Sequence, residues 1–113
     1  MNDIQLTKDS KELLAIIYKE YLDRINNGID KRTAKTISGG SDELSKLAPT
    51  WLYADLKETM YELQRKGFLK CQNASNKIYR AWVTDELIIY METVIPRTAK
   101  KILSAMDILS FLK

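Results

Sequence analysis

At 113 residues and 13.1 kDa the chain has the length of one domain, because domains cluster around ~100–150 residues. Its 45% apolar, 9% aromatic and 29% charged residues are the proportions of an ordinary globular protein and not of a disordered tail or a membrane span. Histidine is absent, which removes Ser-His-Asp and Cys-His nucleophile systems, the usual zinc ligand sets and a pH switch near neutrality. Cys71 is the only cysteine, so neither an intrachain disulfide nor a Cys-rich metal site is available. Met1 to Lys8 carries Asp3 and no apolar run, unlike a signal peptide, and a cytoplasmic location is expected.

The formal net charge of +3 says less than its distribution, since residues 67–84 hold three basic groups and no acidic one. In chain order, Leu14, Ile17, Tyr21 and Ile25 recur at three- and four-residue steps and predict an amphipathic helix over residues 11–27. Ser10 is its expected N-cap, and Asn27-Gly28 its left-handed stop. Residues 30–37 read as a polar, basic connection with enough β-branched content for a short strand before the Ser38-Gly39-Gly40 break. Ser41 is then expected to cap a short helix that Pro49 limits to about two turns. From Thr50 to Lys66 a further helix is predicted, with Leu52, Leu56, Met60 and Leu63 on one stripe and Gly67 as its C-cap.

Residues 68–72 and 78–83 are aromatic and β-branched runs separated by the turn-forming residues 73–77, and together they predict a β-hairpin. Thr84-Asp85-Glu86 caps a helix carrying Leu87, Ile88 and Met91, and Pro96 separates it from a last helix running to Leu112. Trp51 and Trp82 read as core or domain-edge aromatics, and Cys71 as a small buried hydrophobe. No enzyme constellation is present. Ser38-Gly39-Gly40-Ser41 lacks the lysine of a phosphate loop, and the carboxylates form no isolated pair in an apolar pattern. A non-catalytic protein without cofactor or metal is expected.

The fold class predicted is mainly α with a small β-hairpin. The run Arg65 to Leu69, a helix end passing through a glycine into a strand, and the Val83 to Glu86 step after the second strand resemble the two junctions of a winged helix-turn-helix domain. This resemblance covers residues 11–92, between an N-terminal arm at 1–10 and an added C-terminal helix at 93–113. It implies that helix 50–66 enters the major groove of double-stranded DNA while hairpin 68–83 acts as the wing, as in a transcriptional regulator. On that reading Tyr53, Lys57, Tyr61, Gln64 and Arg65 lie near base edges, and Lys70, Asn73, Asn76, Lys77 and Arg80 near phosphates. Lys31, Arg32 and Lys35 offer a second backbone contact, although the polar stretch around them reads first as a solvated loop. Tyr53 and Tyr61 suit stacking on a partner or half-buried packing equally.

Asp55, Glu58 and Glu62 leave the same helix without net positive charge, a departure from groove-reading helices. The alternative expectation is therefore a winged-helix scaffold for protein–protein interaction, an accessory protein of a mobile element that binds no DNA. Near the C-terminus Ile95, Ala99, Ile102, Leu103, Met106, Leu109 and Leu112 form an apolar stripe that must be covered. It is expected to pack on the first helix of its own chain, of a second subunit, or both. Ile95, Ile102, Leu103, Met106, Leu109 and Leu112 are accordingly the candidate homodimer contacts, and no membrane association is expected.

Overall fold

The computed structural model describes residues 5–95 and 104–112. Helix α1, Lys8–Asn26, buries Leu13, Leu14, Ile17, Tyr18 and Tyr21 along one face, the periodic positions of the sequence pattern. Its cap is not Ser10 but Thr7, whose hydroxyl accepts from the Ser10 N–H at 3.1 Å. Ser10 is buried instead, with its own hydroxyl donating to Glu62 at 3.2 Å, so capping passes to the exposed threonine before it. The basic connection contains helix α2, Lys31–Ala34, and strand β1, Thr36–Ile37. One helical turn is too short to display a period. Asp30 starts it by accepting from the Thr33 N–H and hydroxyl at 3.0 and 2.8 Å.

Helix α3, Gly40–Leu47, begins one residue before the expected cap, and Ser41 is wholly buried. Its hydroxyl donates to the Ile78 carbonyl at 3.1 Å and shares a 2.6 Å hydrogen bond with the Tyr53 hydroxyl. The exposed N–H of Gly39 is satisfied by Glu43, four residues on, at 3.0 Å. Helix α4, Tyr53–Arg65, starts three residues later than Thr50, because Leu52 is extended and points outward at 72% exposure. The buried stripe is thus Leu56, Thr59, Met60 and Leu63.

Strands β2, Leu69–Ala74, and β3, Lys77–Val83, complete an antiparallel sheet of order β1-β3-β2. The turn is tighter than expected, since Ser75 and Asn76 alone connect the strands, both in the left-handed region at φ 53° and 62°. Between the pairs Gln72↔Arg80 and Asn73↔Ile78 the β3 strand carries one extra residue, Tyr79. That bulge resets the alternation, so Ile78 and Ala81 are both buried while Tyr79 and Arg80 are both exposed. At the base of the hairpin Thr84 accepts from the Leu87 N–H at 3.3 Å and donates to the Gly67 carbonyl at 2.6 Å. It caps helix α5, Asp85–Val94, as its position after the strand predicts.

Helix α6, Ala105–Leu109, is shorter than the expected last helix, and it packs on α1 of its own chain. Ile108 and Leu112 enter the same buried cluster as Leu13, Phe68, Leu87 and Met91. Met106 faces outward at 72% exposure, while Ile108 and Leu112 are turned into the core. Leu109 and Ile95 are half-buried against the core. Ile102 and Leu103 lie outside the described residues, as does Pro96. Among the described residues no helix is long and apolar enough to cross a membrane.

Gly40 is the tightest junction in this arrangement. It sits at φ 57°, and a Cβ there would lie 2.2 Å from the Ile78 carbonyl oxygen and 2.6 Å from the Tyr79 carbonyl carbon. Gly28, at φ 83°, has open space around the same position. Gly28→Ala is expected to lose the ~1–2 kcal/mol of a left-handed residue. Gly40→Ala adds a backbone clash of about 1–3 kcal/mol to that strain, and denaturation midpoints should separate the two.

Candidate nucleic-acid interface

Helix α4 has three accessible faces. Toward the hairpin point Tyr53, Lys57 and Gln64, and each is already engaged. The Tyr53 hydroxyl is bonded to Ser41, the Lys57 ammonium donates to the Asn76 carbonyl at 2.8 Å, and the Gln64 carbonyl oxygen accepts from the Cys71 N–H at 2.8 Å. Lys57 also lies 6.0 Å from the centre of the Tyr53 ring. These residues clamp the hairpin to the helix. Gln64 caps the free edge of β2, where an unpaired N–H would otherwise face solvent.

Toward α1 the carboxylate of Glu62 accepts from Ser10 and, at 3.4 Å, from Thr7, while Asp55 lines a hollow shared with Asp9 and Glu12. The remaining, outward face carries Ala54, Glu58, Tyr61 and Arg65. Glu58 and Arg65 form a solvent-exposed ion pair at 3.4 Å, which contributes little to stability but neutralises both charges locally. Tyr61 is half-buried against the core. The acidic and the hairpin-facing residues are therefore separated around the helix, which the linear spacing alone does not resolve.

On the hairpin, Lys77 is paired with Asp42 of α3, and this carboxylate holds the lysine's pKa above its ordinary value. Lys35 is paired with Asp85 at 2.6 Å, raising the pKa of the lysine and lowering that of the aspartate. Lys70 and Arg80 are exposed, and their side chains hold no hydrogen bond or ion pair among the described residues. Lys31 and Arg32 are likewise exposed on α2, where the Thr33 hydrogen bonds, and with them the Arg32 charge, hold the Asp30 carboxylate below its ordinary pKa. Asn73 and Asn76 are exposed at the hairpin end.

The pairings Lys70↔Trp82 and Gln72↔Arg80 put these four side chains on the sheet face turned away from Leu69, Ala81 and Val83, with Thr36 opposite Trp82 on β1. An open groove of about 600 Å³ runs there, lined by Gln64, Lys70, Cys71, Gln72 and Trp82. Trp82 is half-buried on this outer face, whereas Trp51 leans on the core. The groove depends on cross-strand register, and of its lining residues Cys71 is absent from the sequence-derived site, as are Gln72 and Trp82. Their alternation with Cys71, Ala81 and Val83 is the signal that places them opposite the core.

Neither a protein-family model, nor a curated protein, nor a solved structure matches this chain.

Cys71 is half-buried, and this burial raises its thiol from 9.0 to about 11. At pH 8 the thiolate fraction is then about a hundredfold below that of an ordinary cysteine. Alkylation of the folded protein should be slower by a comparable factor than that of the denatured chain. Labelling at the same rate in both states would contradict the placement of the thiol.

Proposed function

We propose that this chain is a winged-helix protein that binds double-stranded DNA, with β2 and β3 as its wing, and acts as a regulator. The element order supports the fold reading: α1, the one-turn α2, β1, the helices α3 and α4, then a hairpin whose second strand lies between its partner and β1. The observation that carries the binding reading is the charge of Lys70 and Arg80, unpaired among the described residues, on one sheet face in a stretch without a carboxylate between Gly67 and Thr84. Phosphate neutralisation supplies most sequence-independent affinity, and cations already spent on ion pairs contribute less to it.

The roles divide accordingly. Lys70 and Arg80 meet phosphates, and Lys31 and Arg32 supply a second backbone contact. Tyr61 and Arg65, on the outward face of α4, are the side chains left to approach base edges. Tyr53, Lys57 and Gln64 act as positioning residues that hold the wing. A homodimer through the terminal helices would rest on the outward-facing Met106. The rival reading, a scaffold for a protein partner, is favoured by the neutralised Glu58–Arg65 pair and by the exposed Leu52 beside Trp51.

The test is fluorescence anisotropy of a labelled mixed-sequence duplex at several salt concentrations. Wild-type protein is expected to show a steep log–log salt slope, and Lys70→Glu with Arg80→Glu to lower that slope by about two counterions across all sequences. Lys77→Glu, which removes a lysine already paired with Asp42, should matter less. No binding by the wild type at low salt would transfer the reading to a protein partner.

A further inference from the structure

The outer sheet face carries more than charge. Trp82 lies at its centre, between Thr36 and Lys70 in one cross-strand row, with Gln72 and Arg80 in the next. Its indole N–H makes no hydrogen bond among the described residues, and the ring borders the 600 Å³ groove instead of the core. A solvent-facing position in the middle of a sheet is ordinarily filled by a polar or β-branched residue. A large aromatic half-buried there, beside two cations unpaired among the described residues and an amide, has the composition of a surface on which a base stacks while its phosphates are held nearby.

We infer that this face binds single-stranded DNA, with an unpaired base stacked on Trp82 and the neighbouring phosphates on Lys70 and Arg80. The inference rests on the reading of the hairpin as the DNA-facing element and goes beyond it by adding single-stranded DNA as a second ligand of that element. Charge complementarity selects a polyanion, and the half-buried aromatic that borders the groove selects one whose bases are unstacked. A regular duplex presents phosphates to such a face but keeps its base planes inside the helix. The Gln72 amide, and the Gln64 amide nitrogen not used on Cys71, line the groove where a base edge would lie.

The experiment uses Trp51→Phe, which leaves Trp82 as the only tryptophan, titrated with oligo(dT), oligo(rU) and a duplex. Quenching of Trp82 by oligo(dT), with tighter binding than to the duplex, is the expected result. In parallel, anisotropy with oligo(dT) compares the wild type with Trp82→Phe and Trp82→Leu, both checked by circular dichroism. The leucine variant should bind roughly 5- to 150-fold more weakly, and the phenylalanine variant should retain much of the affinity. Salt-dependent binding to duplex, with Trp82 fluorescence unchanged and no preference for oligo(dT), would overturn this inference and leave the double-stranded reading standing. Quenching by oligo(rU) alone would overturn the assignment to DNA. Absence of binding to every probe would remove both readings together.

Discussion

The position of the hairpin depends on a side chain that is absent. Gly40 lets the first turn of α3 approach the backbone of β3 so closely that a Cβ would stand 2.2 Å from the Ile78 oxygen. From that contact the other attachments follow. Ser41 reaches the same Ile78 carbonyl and Tyr53, Asp42 reaches Lys77, and α4 adds Lys57 on the Asn76 carbonyl and Gln64 on the Cys71 N–H. An isolated two-stranded hairpin is marginal in water. Here it is held on two helices and a third strand, and its outer face is presented in a defined orientation.

A second node closes the opposite side of the sheet. Arg24 donates to the Thr36 carbonyl at 2.7 Å and the Ala34 carbonyl at 3.3 Å, and forms ion pairs with Glu20 at 3.0 Å and Glu43 at 2.7 Å. Burial lowers its affinity for the proton, but bonding to Glu43 and Glu20 outweighs that, and its pKa stands above the ordinary value. One guanidinium thus joins α1, α2, β1 and α3. Glu43 in turn caps Gly39, so the salt bridge also supports the glycine junction. With Arg24 on β1 and Gln64 on β2, both outer strands of the sheet have side chains on their edges, a small-scale answer to the hazard of edge pairing.

Features set by local chemistry were legible in the amino-acid order. The period of Leu13, Leu14, Ile17 and Tyr21 defines α1, the Gly67 and Thr84 junctions bracket the hairpin, and Pro49 ends α3. What escaped were features set by partners distant in sequence. Ser10 and Ser41 both look like caps, yet each is buried, because a neighbouring element offers Glu62 or the Ile78 carbonyl. The bulge at Tyr79 exists only relative to β2, and α2 is one turn long with a single buried residue, Ala34. Candidate site residues were found by type, but whether a lysine is free depends on its surroundings. Lys77 and Lys35 are paired across 35 and 50 positions of sequence, whereas Lys70 and Arg80 are not paired with any described residue.

Charge segregation around α4 bears on how such a fold could meet DNA. Carboxylates on a groove-reading helix cost affinity in proportion to their nearness to phosphate. Glu62 is turned into hydrogen bonds with α1, Asp55 sits beside Asp9 and Glu12, and Glu58 is neutralised by Arg65. The repulsion is therefore displaced to the α1 side of the helix or cancelled on its outer side. The helix nevertheless has little attraction of its own, since Asp55, Glu58 and Glu62 outnumber Lys57 and Arg65 within it. Any polyanion would then be drawn first to the sheet, where Lys70 in the Trp82 groove and Arg80 in the next cross-strand row have no counter-charge among the described residues. In that arrangement the helix fixes the geometry and the strands supply the charge, the reverse of the division that the pattern of residues 50–66 suggests on its own.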